Sequence, residues 1–248
     1  MIDPVSFESL AIAALVVTCG YFVFGLSGFG SALVTVPVVS HLWPVQFVLP
    51  VLALLDVSAG MYLGVRHHEQ AERGELTRMI PLAFIGAVIG VALLVDLPRD
   101  ASMAGVGGFA LLYGLYTLVE KGTPRMVGRQ WAYVSGVTGG AIGALFGIGG
   151  PAYVIYLSRR IHDKSVLRAT IATMVIFSVA SRLVIFAFAG LLGRNEIMTA
   201  LFLLPFAFAG IWAGGHVHLR VSRQQLGRVI SALLIATGIS LLMRAVVS

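Results

Sequence analysis

Apolar runs of membrane-spanning length dominate the sequence and leave it few ways to fold. Residues 45–65, 79–95, 101–119, 166–191, 197–217 and 229–243 carry little charge, and about 20 such residues cross the roughly 30 Å hydrocarbon core of a bilayer as a helix. Lipid offers no partner to backbone N–H and C=O groups, so a spanning segment must satisfy them internally, as a helix does. Composition agrees: 58% of the chain is hydrophobic and 11% charged, with a mean hydropathy of +0.94, whereas soluble domains carry about a quarter of their residues charged. A soluble enzyme, a nucleic-acid binder and a disordered tail are excluded. The formal net charge of +6 then records which loops face the cytoplasm rather than an acidic partner. The single cysteine, Cys19, sits in an apolar run, which excludes a disulfide framework and a cysteine-rich metal site. The first residues, MIDPVSFESL, hold Asp3 and Glu8 and no basic residue, so the first apolar run is expected to stay in the mature protein rather than leave as a signal peptide.

Two further runs are too long for one helix, and glycines interrupt both. The run at 10–42 contains FGLSGFG at 24–30, and the run at 131–157 contains FGIGGP at 146–151. Glycine weakens a helix and Pro151 has no amide proton, so each place predicts a helix break at membrane depth. The breaks are related. Phe24, Gly25 and Gly28 match Phe146, Gly147 and Gly150 at an offset of 122 residues, and PLAFIG at 81–86 matches PFAFAG at 205–210, with Gly90 and Gly214 following at the same spacing. An internal duplication accounts for both matches, with a first repeat over 1–120, a basic cytoplasmic linker over 121–130 and a second repeat over 131–248.

The positive charges select a topology. If each broken run crosses once, the lysines and arginines outside the membrane divide eight to eight between the two faces. If each is a hairpin returning to its own side, the clusters at 66–78, 121–129, 159–168 and 220–228 share one face with thirteen positive residues, against Arg99, Arg194 and Arg244 on the other. The positive-inside rule selects the hairpins. The expected fold is an all-α polytopic membrane protein of two five-helix halves, each a glycine-broken hairpin plus three spanning helices. Three crossings per half make the repeat inverted, place both termini outside and bring the two hairpin tips toward the midplane.

Asp56 and Arg182 are the ionisable residues expected near the centre of a span, too deep to reach the surface easily. Two readings are open. They form a buried pair that locks helices, or they belong to a substrate and coupling site, Arg182 as the anion anchor and Asp56 as a coupling carboxylate with protons as a candidate co-transported ion. At the repeat offset Asp56 matches Ser178 and Gly60 matches Arg182. The helices that return from the tips, starting near Ser31 and Ala152, should aim free amides and a positive dipole end at the midplane. Candidate substrate-binding residues are therefore Arg182, Ser178, Gly25, Ser27, Gly28, Ser31, Gly147, Gly149, Gly150 and Tyr153, with Thr35 a further neutral donor. The opposing reading of the glycines and serines is close packing of helices.

No metal site or cofactor is expected: His67 and His68 sit in a charged loop, and His216 and His218 lack the spacing of a helical metal pair. His41, His162, Trp43, Trp131 and Trp212 fit membrane-interface or packing positions, and the basic run 158–168 fits contact with anionic lipid.

FGLSGFG followed by VTVP, and FGIGGPAYVIYL 122 residues later, resemble the paired glycine motifs of the sulfite exporter TauE/SafE family, also called four-toluene sulfonate uptake permeases. The resemblance covers essentially the whole chain. It implies a multi-pass inner-membrane transporter of small sulfur-containing anions such as sulfite, sulfonates or sulfoacetate-like compounds; with the inverted repeat, the expected function is secondary transport by alternating access, with export the favoured direction. An anion channel of the same architecture is the alternative. An intramembrane enzyme would need a Ser/His pair or carboxylate dyad within the spans, which the sequence does not offer, and a non-transporting membrane subunit would reduce the buried charges to a lock.

Overall fold

The structure, a computed structural model, describes residues 6–27, 30–64, 70–119, 126–216 and 223–247, and among them it contains ten helices and no strand. In chain order these are α1 Phe7–Ser27, α2 Ser31–Val39, α3 Val45–Gly64, α4 Arg73–Asp96, α5 Arg99–Val119, α6 Trp131–Phe146, α7 Gly150–Ser158, α8 Lys164–Phe188, α9 Arg194–His216 and α10 Arg223–Val247. The expected all-helical fold with ten segments is what forms. Each interrupted run resolves into a long helix and a nine-residue return helix, α1 with α2 and α6 with α7. Gly30 (φ 98°) precedes α2 and Gly147 (φ 75°) follows α6, both in the left-handed region that side chains disfavour. The second helix resumes earlier than expected: Gly150 and Pro151 already belong to the first turn of α7, where proline's missing N–H has no helical carbonyl to meet. Asp163 caps α8, its carboxylate accepting from the amides of Ser165 and Val166 at 2.8 and 2.9 Å.

Among the described residues six helices are long and apolar enough to cross a membrane: α1, α3, α4, α5, α8 and α9. Five of the six expected spans are among them, α1 is itself of spanning length, and the sixth expected span falls on α10, whose apolar stretch is described over Ile230–Val246.

The helices gather into two compact units, each drawing on both halves of the sequence. The first holds α1, α2, α3 as far as Leu52, α5, α9 and α10. In it α1 lies along α9 and α5 along α10. A methyl group at Gly210 would strike the carbonyl of Thr18, and one at Gly214 that of Phe22, so glycine sets the approach of α9 to α1. Gly107 and Gly238 let α5 and α10 meet, and the hydroxyls of Thr117 and Ser231 bridge them at 2.7 Å.

The second unit holds α3 from Ala53, with α4, α6, α7 and α8. Here α4 lies along α6, with Gly86 and Gly90 against the backbone of Val137 and Ala141 and Gly140 against that of Ala83. α4 buries Ala83, Gly86, Ala87 and Gly90 and exposes Phe84, Ile85, Val88 and Ile89. Small residues inside and large apolar ones outside suit a lipid surround, where association comes from close packing rather than from hiding leucines. Met79, Tyr153, Tyr156, Leu157 and Met174 form the core of this unit.

Candidate functional site

The second unit collects most of the polar chemistry predicted from the sequence. Ser178 and Arg182 lie four residues apart on α8, one turn and the same face. Arg182 is 5% exposed. Its Nη1 donates to the carbonyl of Gly143 at 2.5 Å, its Nη2 stands 3.6 Å from Oδ2 of Asp56 on α3, and its guanidinium carbon lies 6.0 Å from the ring centre of Phe186. Asp56 is nearly as deep, with its side chain 10% exposed.

Gly143 is in the last turn of α6, and its carbonyl also accepts the amide of Gly147 at 3.0 Å. The arginine therefore occupies the negative end of a helix interrupted by the tip. Its charge is balanced twice, by the Asp56 carboxylate and by this helix end. An anion reaching Arg182 must share it with Asp56 or displace the carboxylate.

The tip itself follows. A methyl at Gly143 would stand 3.4 Å from Gly149 Cα and 4.0 Å from Ser178 Oγ, so the end of α6, the tip and α8 converge there. Gly149 precedes α7 and offers no side chain to cap the first amides of that helix, which leaves its positive end for other acceptors. Around Gly150 there is open space: nothing lies within 4 Å of where a Cβ would be. Tyr153, one turn into α7, is fully buried with its hydroxyl 2.9 Å from Ser178 Oγ, and its ring occupies the space a side chain at Gly139 would need. Ser135 of α6 donates to the carbonyl of Ala152 at 2.8 Å, tying the two arms of the hairpin.

Of the residues expected from the sequence, Arg182, Asp56, Ser178, Tyr153, Gly147, Gly149 and Gly150 thus belong to this unit. Gly25, Ser27 and Ser31 belong to the first unit. Gly25 lies inside α1 rather than at the break, against Ile211 and Gly214 of α9. Ser31 opens α2, buried, and its carbonyl accepts the hydroxyl of Thr35 at 2.9 Å. Gly28 lies outside the described residues, as does the side chain of Ser27. Two participants carried no sequence signal strong enough to single them out. The Gly143 carbonyl is a backbone group, and Glu75, which the sequence places within a charged cluster, is 4% exposed and takes the Tyr156 hydroxyl at 2.6 Å.

At the opposite end of the chain's chemistry, in the turn after α2, Arg244 Nη1 donates to the His41 carbonyl at 2.7 Å. Burial first, and the Arg244 cation second, hold the His41 imidazole below its ordinary value of 6.5.

The model of the family described as sulfite exporter TauE/SafE matches residues 12–241. The chain is 27% identical over 192 residues to the probable inner membrane transporter protein TsaS of Comamonas testosteroni, a match covering 76% of this chain and 80% of the relative. No solved structure matches.

Proposed function

Since the chain belongs to the sulfite exporter TauE/SafE family and is a membrane transporter, we propose that it carries small sulfur-containing anions, sulfite or a sulfonate, across the inner membrane. The anion binds at Arg182, with the hydroxyls of Ser178 and Tyr153 and the first amides of α7 as neutral donors. One observation carries the reading: a buried arginine stands beside a glycine tip with the Asp56 carboxylate 3.6 Å away. An oxyanion offers the guanidinium acceptor oxygens as that carboxylate does, and replaces it without leaving the arginine's charge bare. The freed Asp56 then takes up a proton, which is the route to coupling.

The cycle is alternating access between two inverted repeats, 1–120 and 131–248, with the basic linker 121–130 in the cytoplasm and both termini outside. The packing supports a repeat. At the offset of the glycine motifs α1 corresponds to α6 and α9 to α4, and the pairs that form are α1 with α9 and α4 with α6. Gly86 and Gly90 perform on α4 the task of Gly210 and Gly214 on α9. Each return helix has nine residues, about 13 to 14 Å of helix, which reaches only half of a hydrocarbon core of about 30 Å. Energetics favour export of an anion that leaves without a proton: with a negative cytoplasm, moving one anionic charge outward releases about 2.3 kcal/mol per 100 mV, and a proton carried through Asp56 is required only for import.

The test is a thermal-shift panel of sulfite, sulfate, thiosulfate, sulfoacetate, taurine and carboxylates on purified protein, followed by flux in vesicles. A sulfur oxyanion or sulfonate should give the largest shift and cross the membrane. Shifts with a cation or a sugar alone would overturn the assignment.

A further inference from the structure

The second unit buries a carboxylate that the transport cycle just described does not use. Glu75, in the first turn of α4, is 4% exposed. Its Oε2 accepts the hydroxyl of Tyr156 at 2.6 Å, and its Oε1 stands 3.5 Å from Arg160 Nε and 3.6 Å from Arg78 Nη1. Two guanidinium groups sharing a buried carboxylate would by themselves be a charge cluster at a helix end. Tyr156 makes it more than that.

Tyr156 lies on α7, three residues after Tyr153, and both side chains are buried. A nine-residue helix cannot hold itself in register, because isolated helices below about 12 to 15 residues are marginal. Its place is therefore set by what its side chains and backbone bind. Near its start the link is Ser135 Oγ to the Ala152 carbonyl, and near its end it is Tyr156 to Glu75. Arg160, just beyond the helix, closes the same end by reaching Glu75 and, at 3.5 Å, the Val127 carbonyl. A rotation or slide of α7 that freed Tyr156 would also carry Tyr153 away from Ser178, one turn from Arg182.

We infer that Glu75 is a positioning residue: through Tyr156 it fixes the return helix α7 so that the Tyr153 hydroxyl meets Ser178 beside the anion site. The role of that site as an anion site rests on the function proposed above; the mechanical link from Glu75 to Tyr153 does not.

The experiment separates the two. Thermal midpoints are measured without ligand for Tyr153→Phe, Tyr156→Phe and the double variant. Positioning predicts coupling: once Tyr156 is released the Tyr153–Ser178 bond is already lost, and Tyr153→Phe then costs almost nothing further. Additive losses overturn the inference. The second arm titrates the anion that stabilises the wild type best. Tyr156→Phe should weaken its apparent affinity about tenfold, as loss of one oriented hydrogen bond does. Glu75→Gln still offers Tyr156 an acceptor oxygen and should keep the affinity within about threefold. A silent Tyr156→Phe with a damaged Glu75→Gln would assign Glu75 to charge balance alone and overturn the inference. Coupling in the ligand-free cycle with no anion binding to the wild type would instead refute the proposed substrate and leave the positioning role standing.

Discussion

The two hairpins share a build, and the neutral donors named beside them, Thr35 and Ser178, make different hydrogen bonds, Thr35 within its own helix and Ser178 to Tyr153 of another. In each a long apolar helix is followed by a nine-residue helix, with a glycine of positive φ before the short helix in the first, Gly30, and after the long helix in the second, Gly147. In the first hairpin the threonine hydroxyls bond inward, Thr18 to the Ala14 carbonyl and Thr35 to that of Ser31, four residues back on the same helix. In the second, Thr138 likewise bonds the Val134 carbonyl of its own helix, and with it run bonds between helices: Ser135 to Ala152, Tyr153 to Ser178, Arg182 to Gly143, Tyr156 to Glu75. Hydroxyls that bond their own helix satisfy the chain and ask nothing of a ligand. Bonds between helices depend on how those helices are placed, and a substrate that competes for them can change the placement. Equal architecture thus coexists with unequal chemistry.

The largest effect should be one in which the hairpins behave alike. A side chain at Gly140 would collide with the Ala83 backbone in the second unit, and one at Gly214 with the Phe22 backbone in the first. Gly140→Val and Gly214→Val should each cost about 3 kcal/mol or more and be seen as loss of monodisperse protein. Gly150→Ala, at a position with open space, should keep its thermal midpoint or raise it slightly, since alanine favours helix by up to about 1 kcal/mol. Any loss of anion binding in that variant then reports on the tip and not on folding.

Arg182 sets the hairpins apart. Arg182→Met leaves Asp56 buried without its partner, which costs about 3–5 kcal/mol. Adding Asp56→Asn should restore most of that in a thermal melt, because no buried charge is left alone. A smaller effect divides the hydroxyls. Ser178→Ala and Thr35→Val should each lower stability by about 1 kcal/mol, but only Ser178→Ala should reduce the anion-induced shift. A reduction with Thr35→Val would erase the distinction between the hairpins.

The smallest effect concerns the turn after α2. The folded state holds the His41 imidazole below its ordinary value of 6.5, so below that pH the unfolded chain binds the proton first. Stability is fully present above pH 6.5 and falls as the pH drops toward the folded value. Melts at about pH 7.5 and about pH 5.5 should show this loss, and His41→Gln should diminish it.

The sequence made the ten segments legible because membrane helices announce themselves by apolar length, and it marked both breaks because glycine and proline are the residues that interrupt them. Arg182 and Asp56 were legible for the same reason: a charge within an apolar run needs a partner or a ligand. Ser31 and Thr35 were read as donors by residue type, and residue type does not show that the Thr35 hydroxyl is spent on the Ser31 carbonyl. The Gly143 carbonyl has no side-chain signature at all. Glu75 lay hidden for the opposite reason, since it sits among arginines whose number topology already accounted for. The glycine pairs of α4 and α9 were visible as a repeat, but which helix each would meet depends on the chain's path in three dimensions.

The central claim is that Arg182, released by Asp56, holds the transported anion, and the most direct measurement is anion-induced stabilisation of the Arg182→Met, Asp56→Asn double variant beside the wild type. At a sulfite or sulfonate concentration about one hundred times its dissociation constant, binding adds about 2.7 kcal/mol, or about 5 °C for a chain of this size. The account predicts that shift in the wild type, and in the double variant a folded protein of similar thermal midpoint with no shift. A full shift in the double variant would contradict it.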